Sequence, residues 1–229
     1  NNVIIQSNNS KLLDVRKFEI HRGAVYAVSG KPASGKTVFV DLLSRQIIPS
    51  SGQIMYDGKD LNNYSKSKFN EQIAVVKQTV KIPRGTVEKY IRNTLKNYNY
   101  LKNEIDSQIN KITNQMDISH LLNCKLRDLT PGEFRWVQIA VNIAADTKIL
   151  IIDEVELHLP ADALKKLLNI LHKISNIDGV SIILTTYNQS QLTKIASVFI
   201  TFIGGRISSV RSAKNKKPVK MSDKSGKRK

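Results

Sequence analysis

Residues 30–37 read GKPASGKT, and what stands on either side of them decides the fold. Upstream, AVYAV (24–28) is a short apolar run of strand character. Downstream, TVFVDLLSRQI (37–47) spaces its apolar residues as a helix does. Strand, glycine loop and helix follow one another in the order that a phosphate-binding loop requires. Gly30, Gly35, Lys36 and Thr37 fill the invariant places of G-x-x-x-x-G-K-[ST]. The glycines allow backbone N–H groups to converge on phosphate oxygens at a helix N-terminus, and Lys36 adds a point charge between them. The expected phosphate contacts are therefore Gly30, Lys31, Pro32, Ala33, Ser34, Gly35, Lys36, Thr37 and Val38, with the Thr37 hydroxyl also free to ligate a magnesium ion.

The rest of the chain supplies a sheet for that loop. VIIQS (3–7) reads as a strand, and LLDVRKFEI (12–20) as a second. QIMY (53–56) sits between turn signals, and IAVVKQ (73–78) is strand-like. From Thr86 to about Asn123 the sequence is polar and helical, as an inserted helical subdomain would be. KILIID (148–153) and VSIILTT (180–186) are buried strands around an amphipathic helix, ADALKKLLNILHKIS (161–175), whose Leu164, Leu167, Leu168, Leu171 and Ile174 form one core-facing stripe. VFITFIGGRISSV (198–210) reads as two strands around a Gly-Gly turn. Buried strands alternating with helices predict an α/β fold of P-loop NTPase type, with a mainly parallel sheet flanked by helices.

Composition narrows the setting. The 229 residues suit one domain with an insertion, expected over 1–210 with its helical subdomain at about 86–130. The lone Cys124 excludes an internal disulfide and reads as a small apolar filler. No apolar run approaches the roughly 18 to 20 residues that span a bilayer, and the first residues carry no charged-then-apolar leader. A soluble chain is expected, meeting a membrane through a partner. Of the net charge of +17, the last 24 residues, Arg206 to Lys229, carry +9. Residues 211–229 are expected to form a basic disordered tail, either inert or attached to anionic lipid or nucleic acid. Tyr90, Tyr98 and Tyr100, interleaved with basic residues, offer a base-stacking alternative to a plain solvated helix face.

KILIIDE (148–154) supplies the second half of a nucleotide site, pushing Asp153 and Glu154 out at a strand end. Asp153 is placed to hold Mg²⁺ and Glu154 to act as general base toward water. The two motifs together imply ATP or GTP with Mg²⁺.

With these residues in order, the chain resembles the ATP-binding cassette (ABC) family from about residue 10 to about 210. The resemblance implies an N-terminal antiparallel β portion and a subunit that closes on ATP against a second cassette, in a homodimer or heterodimer. Such a subunit hydrolyses ATP to drive a membrane-spanning partner, on the cytoplasmic face of the membrane. It assigns Gln78 to the family's Q-loop, as a magnesium ligand and sensor of the partner. It reads LTPGEFRWVQIA (129–140) as a form of the LSGGQ motif, so that Thr130 and Gly132 reach the γ-phosphate bound by the other subunit. Three positions depart from the pattern. Pro131 replaces a glycine and removes a donor, Pro160 stands where the D-loop has aspartate, and Tyr187 stands where the switch histidine contacts the γ-phosphate. The adenine-stacking aromatic is missing before Phe18, and His158 is either a substitute histidine or a structural surface residue. A working ATPase of reduced rate and an ATP-dependent clamp with little or no hydrolysis both fit, as does a soluble nucleic-acid-associated ATPase.

Overall fold

The computed structural model describes residues 2–7, 10–98 and 102–213. Their strands are β1 (Val3–Ser7), β2 (Ser10–Val15), β3 (Val25–Ser29), β4 (Met55–Tyr56), β5 (Lys59–Asp60), β6 (Ile73–Val76), β7 (Ile149–Ile152), β8 (Ser181–Thr186), β9 (Val198–Ile203) and β10 (Arg206–Ser212). The α-helices are α1 (Lys36–Leu43), α2 (Lys66–Gln72), α3 (Val87–Asn97), α4 (Lys102–Met116), α5 (Pro131–Ala144) and α6 (Ala161–Asp178). Eight strands form one sheet in the order β1-β2-β10-β9-β3-β8-β7-β6, and β4 pairs only with β5. Each neighbouring pair from β9 to β6 is parallel, whereas β1 with β2 and β9 with β10 are antiparallel. The expected mainly parallel sheet with an antiparallel N-terminal portion is what forms.

Both faces of the parallel strands are apolar because both are covered. Val25 and Ala27 of β3 point into one core with Val137 and Val141 of α5 and Leu167 and Leu171 of α6. Tyr26 and Val28 point into the other, against Phe39 and Val40 of α1 and Leu13 of β2. Ile174 packs against the first core, completing the stripe read along α6. Gly204 and Gly205 both take positive φ, and Ile203 pairs with Arg206, so the β9–β10 connection is a two-residue hairpin turn that suits glycine.

Two boundaries differ from the sequence reading. The strand expected over 12–20 ends at Val15, because its partner β1 begins at Val3, the residue paired with Val15. Phe18 and Ile20 still pack on the core, without a ladder. At the other end, β10 runs on to Ser212, paired with Val198, so regular structure continues past Val210. The remainder of the basic tail, residues 214–229, lies outside the described residues, as does Tyr100. Tyr90 and Tyr98 are not free to stack on bases: both pack against the core, and the Tyr98 hydroxyl donates to Asn142 Oδ1 at 3.2 Å.

Candidate functional site

The carboxyl ends of four adjacent strands, β3, β8, β7 and β6, meet at one edge of the sheet, the place where open α/β sheets bind ligands. Gly30 follows β3, Tyr187 follows β8, Asp153 follows β7, and Gln78 lies two residues beyond β6. The topology therefore gathers residues that are up to 157 positions apart.

The loop between β3 and α1 is shaped by close contacts. A Cβ on Gly30 would stand 2.6 Å from the Phe202 carbonyl oxygen and 2.3 Å from Ser34 Oγ, so only glycine fits. Ala33 and Gly35 have φ of 58° and 103°, which bend the chain back toward the helix start. Gly35 caps α1 without any side-chain bond, leaving the helix N-terminus open to an anion. Ser34 Oγ is buried and has no partner. Lys36 is 5% exposed, and its ammonium donates to the carbonyls of Gly30 (2.7 Å) and Lys31 (3.1 Å). Burial lowers its pKa, against the pull of Glu154, Asp153 and Glu156.

Asp153 is 1% exposed, and Thr185 Oγ1 donates to its carboxylate. Burial raises its pKa, while hydrogen bonds from Thr185 and Thr37 act the other way. Thr37 and Asp153 are therefore in contact, an oxygen donor pair suited to Mg²⁺. No cluster of three or more His, Cys, Asp or Glu side chains able to hold a metal occurs among the described residues. A magnesium ion here would need oxygens from a bound phosphate, as such ions commonly do. When bound, it would neutralise charge on those phosphate oxygens.

Glu154 sits at φ 50°, in the left-handed region, and the turn aims its carboxylate back across the site. Gln78 Nε2 donates to Glu154 Oε2 at 2.9 Å. The Tyr187 hydroxyl donates to Glu154 Oε1, and the Tyr187 ring lies 4.7 Å from Lys36 Nζ. That bond to a carboxylate pushes the Tyr187 pKa up to about 12. Thus Lys36, Thr37, Gln78, Asp153, Glu154 and Tyr187 form one cluster. It is Tyr187, not His158, that engages Glu154. His158 is exposed, and its carbonyl lies 2.9 Å from where a Cβ on Gly132 would stand.

Thr130 and Gly132 stand at the N-terminus of α5. The Thr130 hydroxyl accepts from the Glu133 N–H (3.2 Å) and donates to Glu133 Oε2 (2.7 Å), while the Thr130 N–H donates to the same oxygen. This is a capping box, and it occupies the hydroxyl assigned to a phosphate across a dimer. Pro131 fills the first helical position, where a missing N–H costs the helix nothing. Pro160 stands just before α6 and offers no side-chain cap.

Two residues of the site escaped the sequence reading. Glu156 Oε1 accepts from Thr186 Oγ1 (2.9 Å) and from the Tyr187 N–H (2.7 Å), and so fixes the backbone that carries Tyr187. Arg135, 2% exposed, donates to the carbonyls of Lys77, Asp153 and Glu154. The available signal was a lone arginine in an otherwise apolar stretch of α5. A cavity of about 730 Å³, bordered by Phe18, Phe39, Tyr56 and Ile149, contains none of the residues of this cluster.

The fold and loop define a phosphate-loop nucleotide-binding cassette. The ABC transporter family model matches residues 13–156, and the chain belongs to that family. It is 30% identical over 180 residues to a putative ABC transporter ATP-binding protein of Clostridium tetani, covering 78% of this chain and 40% of that one. It is 31% identical over 145 residues to the molybdate/tungstate import ATP-binding protein WtpC of Pyrococcus abyssi, covering 63% and 41%. The chain thus spans about two-fifths of the length of these curated relatives. Among solved structures, the dimeric ATP-binding cassette MJ0796 bound to ADP and Pi superposes with a TM-score of 0.84 at 17% identity, covering 94% of this chain and 98% of that one. CbiO1 of Clostridium perfringens, part of the ABC transporter complex cbiONQ, gives 0.80 at 22%, covering 93% and 87%.

Proposed function

We propose that this chain is the ATP-binding subunit of an ABC-type complex, holding Mg·ATP between itself and a second cassette and hydrolysing it to drive a membrane-embedded partner. The observation that carries this reading is the convergence of Lys36, Thr37, Gln78, Asp153 and Glu154 at the ends of neighbouring parallel strands. Lys36 and the open N-terminus of α1 take the phosphates. Thr37, Asp153 and Gln78 supply oxygen atoms to the metal. Glu154 accepts a proton from the attacking water, and Gln78 orients that carboxylate.

The relatives' names and the dimeric neighbour support two further parts of the reading, a transporter partner and a second cassette. No helix among the described residues is long and apolar enough to cross a membrane. A separate membrane-spanning subunit and a place on the cytoplasmic face are therefore part of the proposal. So is contact of the basic tail with anionic lipid or nucleic acid.

A second reading has its own support. Tyr187 on Glu154, and Thr130 bound to Glu133, favour a cassette that clamps ATP and hydrolyses it slowly or not at all. Size-exclusion chromatography of Glu154→Gln with and without Mg·ATP tests the part common to both readings. An ATP-dependent dimer is expected, and Lys36→Ala should remain monomeric. A monomer under every condition would remove the two-cassette site.

A further inference from the structure

We propose that Arg135 is a positioning residue that locks the backbones carrying Gln78 and Glu154 to helix α5, so that the signature end of α5 and the Gln78–Glu154 pair move as one unit. The role given to the pair rests on the ATP-hydrolysing reading above; the mechanical link does not.

Three elements meet at this guanidinium. Nη1 donates to the Lys77 carbonyl at 2.7 Å, one residue before Gln78. Nη2 donates to the carbonyls of Asp153 (2.5 Å) and Glu154 (3.0 Å). The Asp153 N–H still bonds the Val76 carbonyl, and the chain after β7 then turns at Glu154 into the left-handed region. The Glu154 carbonyl accepts from the Leu157 N–H at 2.9 Å within that turn, so the guanidinium is its second partner and the one that ties the turn to α5. A planar, permanently charged fork can serve three acceptors at once, which a lysine ammonium on a flexible stem does poorly.

Burying a cation this deeply is itself unfavourable. Its pKa is pushed down to about 10 by burial, against the carboxylates of Asp153, Glu154 and Glu156, and its Nε has no partner. An apolar residue would fill the same space in α5 beside Phe134 and Val137 without that cost. What an apolar residue could not do is fix the Lys77 and Glu154 carbonyls relative to each other. The Gln78–Glu154 hydrogen bond of 2.9 Å depends on that relative placement. Thr130 and Gly132 lie at the N-terminus of the same helix, so Arg135 ties that segment by hydrogen bonds to the backbones that carry Gln78 and Glu154.

Hydrogen exchange of the full chain without nucleotide tests this independently of catalysis. The amides of Asp153, Glu154 and Val155 are held by Val76 O, Thr185 Oγ1 and Thr185 O. In Arg135→Met they should exchange roughly tenfold faster or more, with β3 and β8 unchanged. If Arg135→Met does not fold, Arg135→Lys carries the test, with a smaller increase at the same amides. Unchanged exchange at 153–155, or an increase spread evenly over β3 and β8, would overturn the proposal.

Phosphate release is the second readout. Arg135→Met should lower kcat by roughly tenfold or more with KM within about threefold, and should have little further effect in Gln78→Ala. Fully additive losses would also overturn it. Absence of release from the unmodified chain would instead count against the hydrolysing reading and leave the exchange result standing.

Discussion

Tyr187 donates its phenolic hydrogen to Glu154 Oε1 and lays its ring 4.7 Å from Lys36 Nζ. One half-exposed side chain thus engages both the group assigned to activate water and the group assigned to hold phosphate. Lys36 is meanwhile bonded to the Gly30 and Lys31 carbonyls, and Gln78 takes the other Glu154 oxygen. Lys36, Gln78, Glu154 and Tyr187 are thus joined in one closed set of contacts.

Removing the phenolic hydroxyl should release Glu154. Tyr187→Phe keeps the ring over Lys36 but deletes the donor, and we expect phosphate release to rise about three- to tenfold. Steady-state rates with saturating Mg·ATP measure this. A fall in rate would show that the hydroxyl assists the reaction.

The same bond fixes a pH window. The Tyr187 pKa is raised from 10.0 to about 12. Because the folded value lies above the unfolded one, the contact is complete below about pH 10 and is lost as pH climbs toward 12. Tyrosinate absorbance should show one fewer late-titrating phenol in Tyr187→Phe than in the unmodified chain. Tyr98, also at about 12, titrates in both and serves as the internal reference.

Asp153 is a carboxylate buried to 1% exposure, where burial disfavours its charged form. Asp153→Asn keeps an oxygen to accept from Thr185 and removes the buried charge. The nucleotide-free variant should be more stable than the unmodified chain by about 1 kcal/mol or more. It should also lose the stabilisation that Mg·ATP gives the parent. Thermal melts with and without Mg·ATP report both effects.

Gly30→Ala places a methyl group 2.6 Å from the Phe202 carbonyl. We expect a loss of about 1–3 kcal/mol in chemical denaturation, because neither the loop nor β9 can withdraw without breaking its own contacts. Nucleotide binding, followed by calorimetry, should fall with it.

Much of this was legible in the sequence, for identifiable reasons. GKPASGKT and KILIIDE carry local chemistry at fixed spacing, and the apolar runs at β3, β7 and β8 are long enough to read as buried strands. A mainly parallel sheet was readable from those strands, but the order that sets β3, β8, β7 and β6 side by side was not, because pairing between distant strands leaves no local pattern. The interior roles of Arg135 and Glu156 were hidden, because Arg135 bonds backbone carbonyls 18 to 58 residues away and Glu156 bonds a hydroxyl and an N–H 30 and 31 residues away. No local pattern encodes such contacts. The occupation of Thr130 by Glu133 was readable in principle, since T-x-x-E is a capping-box sequence. The early end of β2 depended on where β1 begins, which only pairing decides.

Whether the closed cluster is a working ATPase is tested most directly by phosphate release from the purified chain with Mg·ATP, beside Glu154→Gln and Lys36→Ala. We expect slow release from the unmodified chain, a loss of roughly a hundredfold or more in Glu154→Gln with nucleotide still bound, and loss of binding in Lys36→Ala. Release that persists undiminished in Glu154→Gln would contradict the role given to that carboxylate and, with it, the catalytic reading of the site.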